Sequence, residues 1–180
     1  MRGGGTEMMT MSRFYEISPE QIEKNPFTMI GKEWMLISAQ NGEVRNGMTA
    51  SWGGVGVLWN KNVCFCFVRP QRYTNELLEK ADRFSLTFFD ESYRETLQYF
   101  GKASGRDEDK IAKSGLTVAE SEGAPYYEES NLAVICKKLY VGEIEPGNIL
   151  LPEIDTAMYP NKDYHKVYIG EIVKVLMKVD

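Results

Sequence analysis

The sequence predicts a mainly β domain: an antiparallel sheet curled toward a barrel, with short accessory helices on its connections. Three observations predict it. Strand-length apolar runs follow one another with turn residues between them. Segments with helical spacing are few and short. The 180 residues suffice for one sizeable core, and no repeat or linker divides them. Closing such a sheet into a barrel removes its exposed edges.

Residues 1–13 begin Gly-rich and lack the apolar stretch and cleavage site of a signal peptide, so we expect a disordered leader ahead of one domain over 14–180. Residues 32–40 (KEWMLISAQ) read as a strand, with Trp34, Leu36 and Ser38 on one face and Met35 and Ile37 on the other. Asn41-Gly42 is a hairpin signal. Residues 49–59 read as the returning strand and 60–62 as another turn. Residues 63–68 (VCFCFV) form a wholly apolar strand, expected to be central, and Pro70 stops it. Three strands in immediate succession argue for antiparallel pairing.

Residues 74–81 (TNELLEKA) follow as a short helix with Thr74 near its N-terminus. Residues 84–89 (FSLTFF) are a strand. Residues 92–100 place Tyr93, Leu97 and Phe100 on one helical face. Residues 107–113 form a charged helix ending at Gly115. The acidic stretch 120–130 with Pro125 reads as loop, 131–145 as one or two strands, and the Pro-rich 146–163 as an exposed excursion. Residues 165–175 close the chain as a strand.

Charge narrows the function. With 21 Lys and Arg against 26 Asp and Glu, the net charge is -5 and there is no basic tract. Neither nucleic acid nor an anionic membrane is an expected partner. No apolar run approaches the roughly 20 residues that span a bilayer. Cys64, Cys66 and Cys136 are an odd set without CxxC spacing, which fits reduced, buried thiols in a cytoplasmic protein. A lone histidine, His165, rules out a His-rich metal site within one chain, and no metal is expected.

Four places hold chemistry. In NGMTASWGGVGVLWN (46–60), Thr49 and Ser51 alternate with Ala50 and Trp52, so the two hydroxyls share a face. Small residues there admit a flat ligand to the backbone, or the glycines serve only to bend a barrel strand. In RPQRYTNE (69–76), Arg69, Arg72, Tyr73 and Thr74 converge just before a helix N-terminus, as a phosphate requires. The alternative is a solvated loop whose arginines pair with carboxylates. KASGRDEDK (102–110) carries three basic residues, offset by three acidic ones, and the Ser104 hydroxyl, and is either an anion loop or a helix cap. His165, beside Tyr164, either contacts a ligand or makes a structural hydrogen bond.

Taken jointly, NGMTASWGGVGVLWNKNVCFCFVRPQRYTNELLEKADRFSLTFF, SGRDEDK and DYHKVYIGEIVKV resemble the flavin reductase-like family of FMN-binding split barrels, most closely its flavoredoxin-type branch. The resemblance runs from about Lys32 onward. It implies a six-stranded antiparallel split barrel that forms a homodimer, with FMN near the subunit interface. It implies that Met48, Thr49, Ala50, Ser51 and Trp52 lie along the flavin. Arg69, Pro70, Gln71, Arg72, Tyr73 and Thr74 would surround its phosphate and ribityl chain. Ser104, Gly105 and Arg106 join them, and His165 lies near the flavin on the nicotinamide side. The implied activity is an NADH- or NADPH-dependent oxidoreductase passing electrons to flavin or another acceptor. The alternatives are an electron-transfer protein reduced by a protein partner, and a non-enzymatic binding protein. Residues 119–130 and 147–163 fit no motif of the family.

Overall fold

The computed structural model describes residues 13–180. The leader expected over 1–13 lies outside them, apart from Arg13. In chain order the elements are β1 (Phe14–Ile17), α1 (Pro26–Gly31), β2 (Met35–Asn41), β3 (Val44–Ala50), β4 (Gly53–Leu58), β5 (Lys61–Val68), α2 (Tyr73–Lys80) and β6 (Arg83–Phe88). They continue with α3 (Arg94–Lys102), α4 (Lys110–Ser114), β7 (Val118–Ser121), β8 (Ala124–Tyr127), β9 (Leu132–Glu143), α5 (Pro152–Met158) and β10 (Lys166–Lys178).

The main antiparallel sheet runs β3-β2-β6-β9-β10-β5-β4, and β1 adds to β10. Its two edges, β3 and β4, are consecutive in the chain. The sheet therefore wraps round, and Ser51-Trp52 carries the chain from one edge to the other. Counting β3 and β4 as two arms of one bent segment, and setting β1 aside, the barrel has the six strands expected. The single strand read over 49–59 is corrected: Gly53 sits at φ 147, and a Cβ there would stand 2.7 Å from the Phe65 carbonyl oxygen. Only glycine turns this corner without a clash. The three strands read in immediate succession are likewise two hairpins, β2–β3 and β4–β5, that do not pair with each other.

The first hairpin turns at Gly42, with φ 61. The second turns at Trp59-Asn60, both at positive φ, so β5 begins at Lys61 rather than after a turn over 60–62. β5 pairs with β4 and β10, one place in from the edge rather than at the centre. Trp34, at φ 73, precedes β2 rather than opening it. The acidic segment read as loop contains the β7–β8 hairpin, turning at Glu122-Gly123. The 107–113 helix starts only at Lys110, where Asp109 caps it by accepting from the Ala112 N–H.

β2 is buried on both faces. Met35, Ile37 and Ala39 enter the barrel core with Phe84, Leu86, Val134 and Tyr168. On the other side Leu36 joins Leu97, Phe100, Leu116 and Tyr127 beneath α3. Buried Ser38 bonds the Tyr127 hydroxyl at 2.9 Å across that second layer. All three cysteines are free and buried, with the Cys64 and Cys136 sulfurs 3.3 Å apart over Gly170. Burial pushes the Cys136 thiol upward and disfavours its thiolate. Among the described residues no helix is long and apolar enough to cross a membrane.

Candidate functional site

Two hollows meet at Arg72. The first, about 200 Å³, is lined by 48–52 with Phe67, Arg69, Arg72 and His165. The second, about 170 Å³, is lined by Asn46, 71–73, 102–105 and Lys110. The end of β3, the turn after β5, the end of α3 and the start of β10 thus converge on one elongated cleft.

β3 builds the floor of the first hollow. Its alternation puts Met48 and Ala50 into the barrel core and turns Thr49 and Ser51 the other way. As an edge strand paired only to β2, it leaves half of its N–H and C=O groups pointing into the gap between the sheet edges. The Thr49 hydroxyl donates to the Leu97 carbonyl and ties α3 to this floor. Trp52 stands 47% exposed at the rim, with its ring 5.3 Å from that of His165.

His165 is 6% exposed, and its Nδ1 lies 2.7 Å from the Tyr159 hydroxyl. Burial, then the Arg69 charge, lowers its pKa to about 4 against the pull of Asp163, so the imidazole is neutral at pH 7.

The turn after β5 divides its two arginines. Arg69 pairs with Asp163 at 2.9 Å and donates to the Met158 carbonyl at 2.9 Å. Gln71 donates to Asp163 as well, at 2.7 Å, so Asp163 fastens the 146–163 excursion to this turn. Arg72 turns inward and donates to the Gly101 and Phe100 carbonyls, at 2.9 and 3.1 Å. Those carbonyls lie in the last turn of α3, at the negative end of its dipole. Lys110, 2% exposed, donates to the same Phe100 carbonyl at 3.1 Å. Burial, then Arg72, lowers its pKa to about 8, with Glu108 acting oppositely. Among the described residues neither cation has a carboxylate at ion-pair distance. One buried and one half-buried cation facing one hollow without a counter-charge fit a phosphate dianion.

Gly105 completes the wall. A Cβ on it would lie 2.6 Å from the Tyr73 ring and would also strike the Asn46 side chain. Asn46 donates in turn to the Thr74 hydroxyl at 2.8 Å, which ties β3 to α2. Ser104 lines the hollow, and its hydroxyl accepts from the Arg106 N–H. Of the residues singled out in the sequence, Pro70, Thr74 and Arg106 line neither hollow. Thr74 is buried, and Arg106 pairs with Glu76 beside the Tyr73 ring. Sequence reasoning missed Lys110 and Asn46 as individuals, although Lys110 ends the KASGRDEDK stretch and Asn46 opens the NGMTASW stretch.

A family model described as the flavin reductase like domain matches residues 29–180. Among solved structures, the flavoredoxin of Desulfovibrio vulgaris (Miyazaki F) is 27% identical with a TM-score of 0.63, over 82% of this chain and 69% of that one. An FMN-binding domain of a flavin reductases-like enzyme from Shewanella baltica OS155 is 15% identical with a TM-score of 0.67, over 93% and 78%. An NADH:FAD oxidoreductase from Streptomyces globisporus C-1027, in complex with NAD and FAD fragments, is 14% identical with a TM-score of 0.61, over 81% and 74%. The last two likenesses concern the fold alone. Comparison with curated proteins gave no match.

Proposed function

The chain belongs to the flavin reductase-like family, and from that premise we propose that it is an FMN-dependent NAD(P)H oxidoreductase. The observation that carries the reading is the pair of hollows sharing Arg72: a cleft floored by β3 ends in a seat with two cations, half-buried Arg72 and buried Lys110, that lack an ion-pair partner among the described residues. FMN, when bound, supplies the redox chemistry. The residues bind and orient it. Arg72 and Lys110 hold the phosphate, with Ser104, Gly105, Gln71 and Tyr73 around it. The backbone of 48–52 and the Ser51 hydroxyl face the ring system. Arg69, Pro70, Thr74 and Arg106 act one step back, by fixing the turn, the excursion and the start of α2. His165 and Trp52 form the side where a second flat ring docks. Neutral His165 orients it, since hydride transfer needs chiefly proximity and alignment.

The protein works as a cytoplasmic homodimer with the flavin near the interface. Supporting this, Phe65, Ile169 and Tyr140 lie side by side on neighbouring strands of the outer face, next to the cleft-lining Phe67. Tyr140 is exposed, and Phe65 and Ile169 are half-buried.

The deciding experiment is an absorbance spectrum of the purified protein followed by anaerobic titration with NADH and NADPH. We expect a yellow protein bleached by at least one of them. A colourless protein that takes up no FMN would sink the reading. The likeness to the Desulfovibrio flavoredoxin favours a second reading, an electron-transfer module reduced by a protein partner. Bound FMN reduced by ferredoxin but by neither nucleotide selects it. Arg72→Ala is expected to weaken FMN roughly 10- to 100-fold, the scale of a lost charge-assisted hydrogen bond. Unchanged affinity in a fluorescence titration removes Arg72 from the phosphate seat.

A further inference from the structure

We propose that Tyr159 is a positioning residue: its hydroxyl fixes His165 in the tautomer that carries the proton on Nε2, so the cleft meets one hydrogen-bond donor of fixed direction. Only its expected effect on turnover rests on the flavin reading above.

Tyr159 belongs to the 146–163 excursion, which fits no motif of the family. It follows directly after α5, and its N–H bonds the Asp155 carbonyl at 2.9 Å. Its ring is 94% buried and is gripped from two sides: the Arg69 guanidinium lies 5.3 Å from its centroid and the Tyr164 ring 4.7 Å. Asp163 and the Met158 carbonyl hold Arg69 in that place. The hydroxyl is thus set by packing, independently of the hydrogen bond it makes.

That bond, 2.7 Å to Nδ1, has a preferred direction. A phenol is the stronger donor and an imidazole nitrogen the stronger acceptor. The Tyr159 oxygen meets no other acceptor among the described residues. Were the proton on Nδ1, a buried phenolic O–H would have nothing to donate to, at a cost of about 1–3 kcal/mol. With the phenol donating, the proton of the neutral ring sits on Nε2.

Nε2 is the one polar atom the ring has left. It makes no hydrogen bond among the described residues, and it is not among the fully buried polar atoms that lack a partner. It therefore keeps an open side, and the opening beside it is the cleft shared with Trp52. The group it selects brings a lone pair, such as a carbonyl oxygen or an unprotonated ring nitrogen, and lies flat against the indole.

The chain has one histidine, so its imidazole gives one pair of nitrogen signals in the full-length protein. By ¹⁵N NMR we expect Nδ1 as the unprotonated acceptor and Nε2 as the N–H, with or without FMN. Tyr159→Phe, which removes only the oxygen, is expected to mix the tautomers and slow nucleotide-dependent reduction about tenfold, while FMN affinity stays within about twofold. In a His165→Gln background the same change should alter the rate less than about twofold. A proton on Nδ1 in the wild type, an unchanged tautomer in Tyr159→Phe, or an additive loss in the double variant each overturns the proposal. If the flavin reading fails instead, the protein binds no FMN while the tautomer result stands.

Discussion

Lys110 and Arg72 show how much a single residue's partners decide. Both cations lean on the carbonyls that end α3, and binding a phosphate would give them the counter-charge they lack. In the free protein Lys110 loses its proton near pH 8, so it is charged below that value. A bound dianion favours the charged form and raises the pKa. FMN affinity is therefore expected to fall by up to about tenfold per pH unit as pH rises past 8. Fluorescence titrations from pH 7 to 10 check this, and a flat profile removes Lys110 from the seat. The stability of the ligand-free protein moves the other way. Between about 8 and 10.5 the unfolded chain binds the extra proton, so this group makes stability rise with pH. Lys110→Met is expected to stabilise the free protein by about 1–2 kcal/mol and weaken FMN at least tenfold. Loss of stability with unchanged affinity would mean that the lysine is structural. The sequence showed a charged stretch entering a helix. It did not show that the helix begins at Lys110 and sends that ammonium inward. Arg69 and Arg72 looked equivalent for the same reason, because Asp163 lies far off in the chain.

At the scale of the element, the corner at 51–53 is the informative case. Glycines at 53, 54 and 56 suggested bending, and the structure assigns that duty unequally. At Gly54 and Gly56 an added Cβ would touch the Phe65 ring at 3.9 and 3.8 Å, an ordinary contact. At Gly53 it meets a backbone carbonyl, at a φ that other residues avoid. Gly53→Ala is expected to cost more than about 2 kcal/mol in urea denaturation, and Gly56→Ala less than about 1. Equal costs would show that the corner is not where the barrel bends. Apolar alternation made β2 legible and Asn41-Gly42 its turn, but the returning strand was read only from 49 on, because the first residues of β3, Val44-Arg45-Asn46-Gly47, lack apolar alternation. The β7–β8 hairpin was hidden by acidic residues and Pro125, which a two-stranded ribbon tolerates because only one side of each strand must pair. Its turn residues, Glu122-Gly123, were there to be read. So was α5, with Pro152 at its first position and Glu153 and Asp155 in its first turn.

For the molecule as a whole, burial of neutral His165 sets an acid limit. The unfolded chain takes up this proton near pH 6.5 and the folded one only near 4. Stability supplied by that difference is complete above 6.5 and is lost as pH falls through the window to about 4. Denaturation midpoints at pH 7, 5.5 and 4 should decline, and His165→Gln should flatten the decline. A decline of the same steepness in His165→Gln would assign it to carboxylates instead. Alternation and turn residues disclosed most strands and the antiparallel class, because those signals are local. The order of strands was not disclosed, because β5 reaches its partner β10 across most of the domain. Val68 pairs with Lys166, roughly a hundred residues on, a separation that slows folding. Phe67 and Arg69 approach the cleft from the end of β5, and His165 approaches it from the start of β10. That wall cannot exist while the last strand is still being synthesised. Refolding followed by quenching of added FMN should show uptake in the slowest phase, and uptake in an earlier phase would contradict this order. On the proposed function, cofactor capture then waits until β10 has docked against β5.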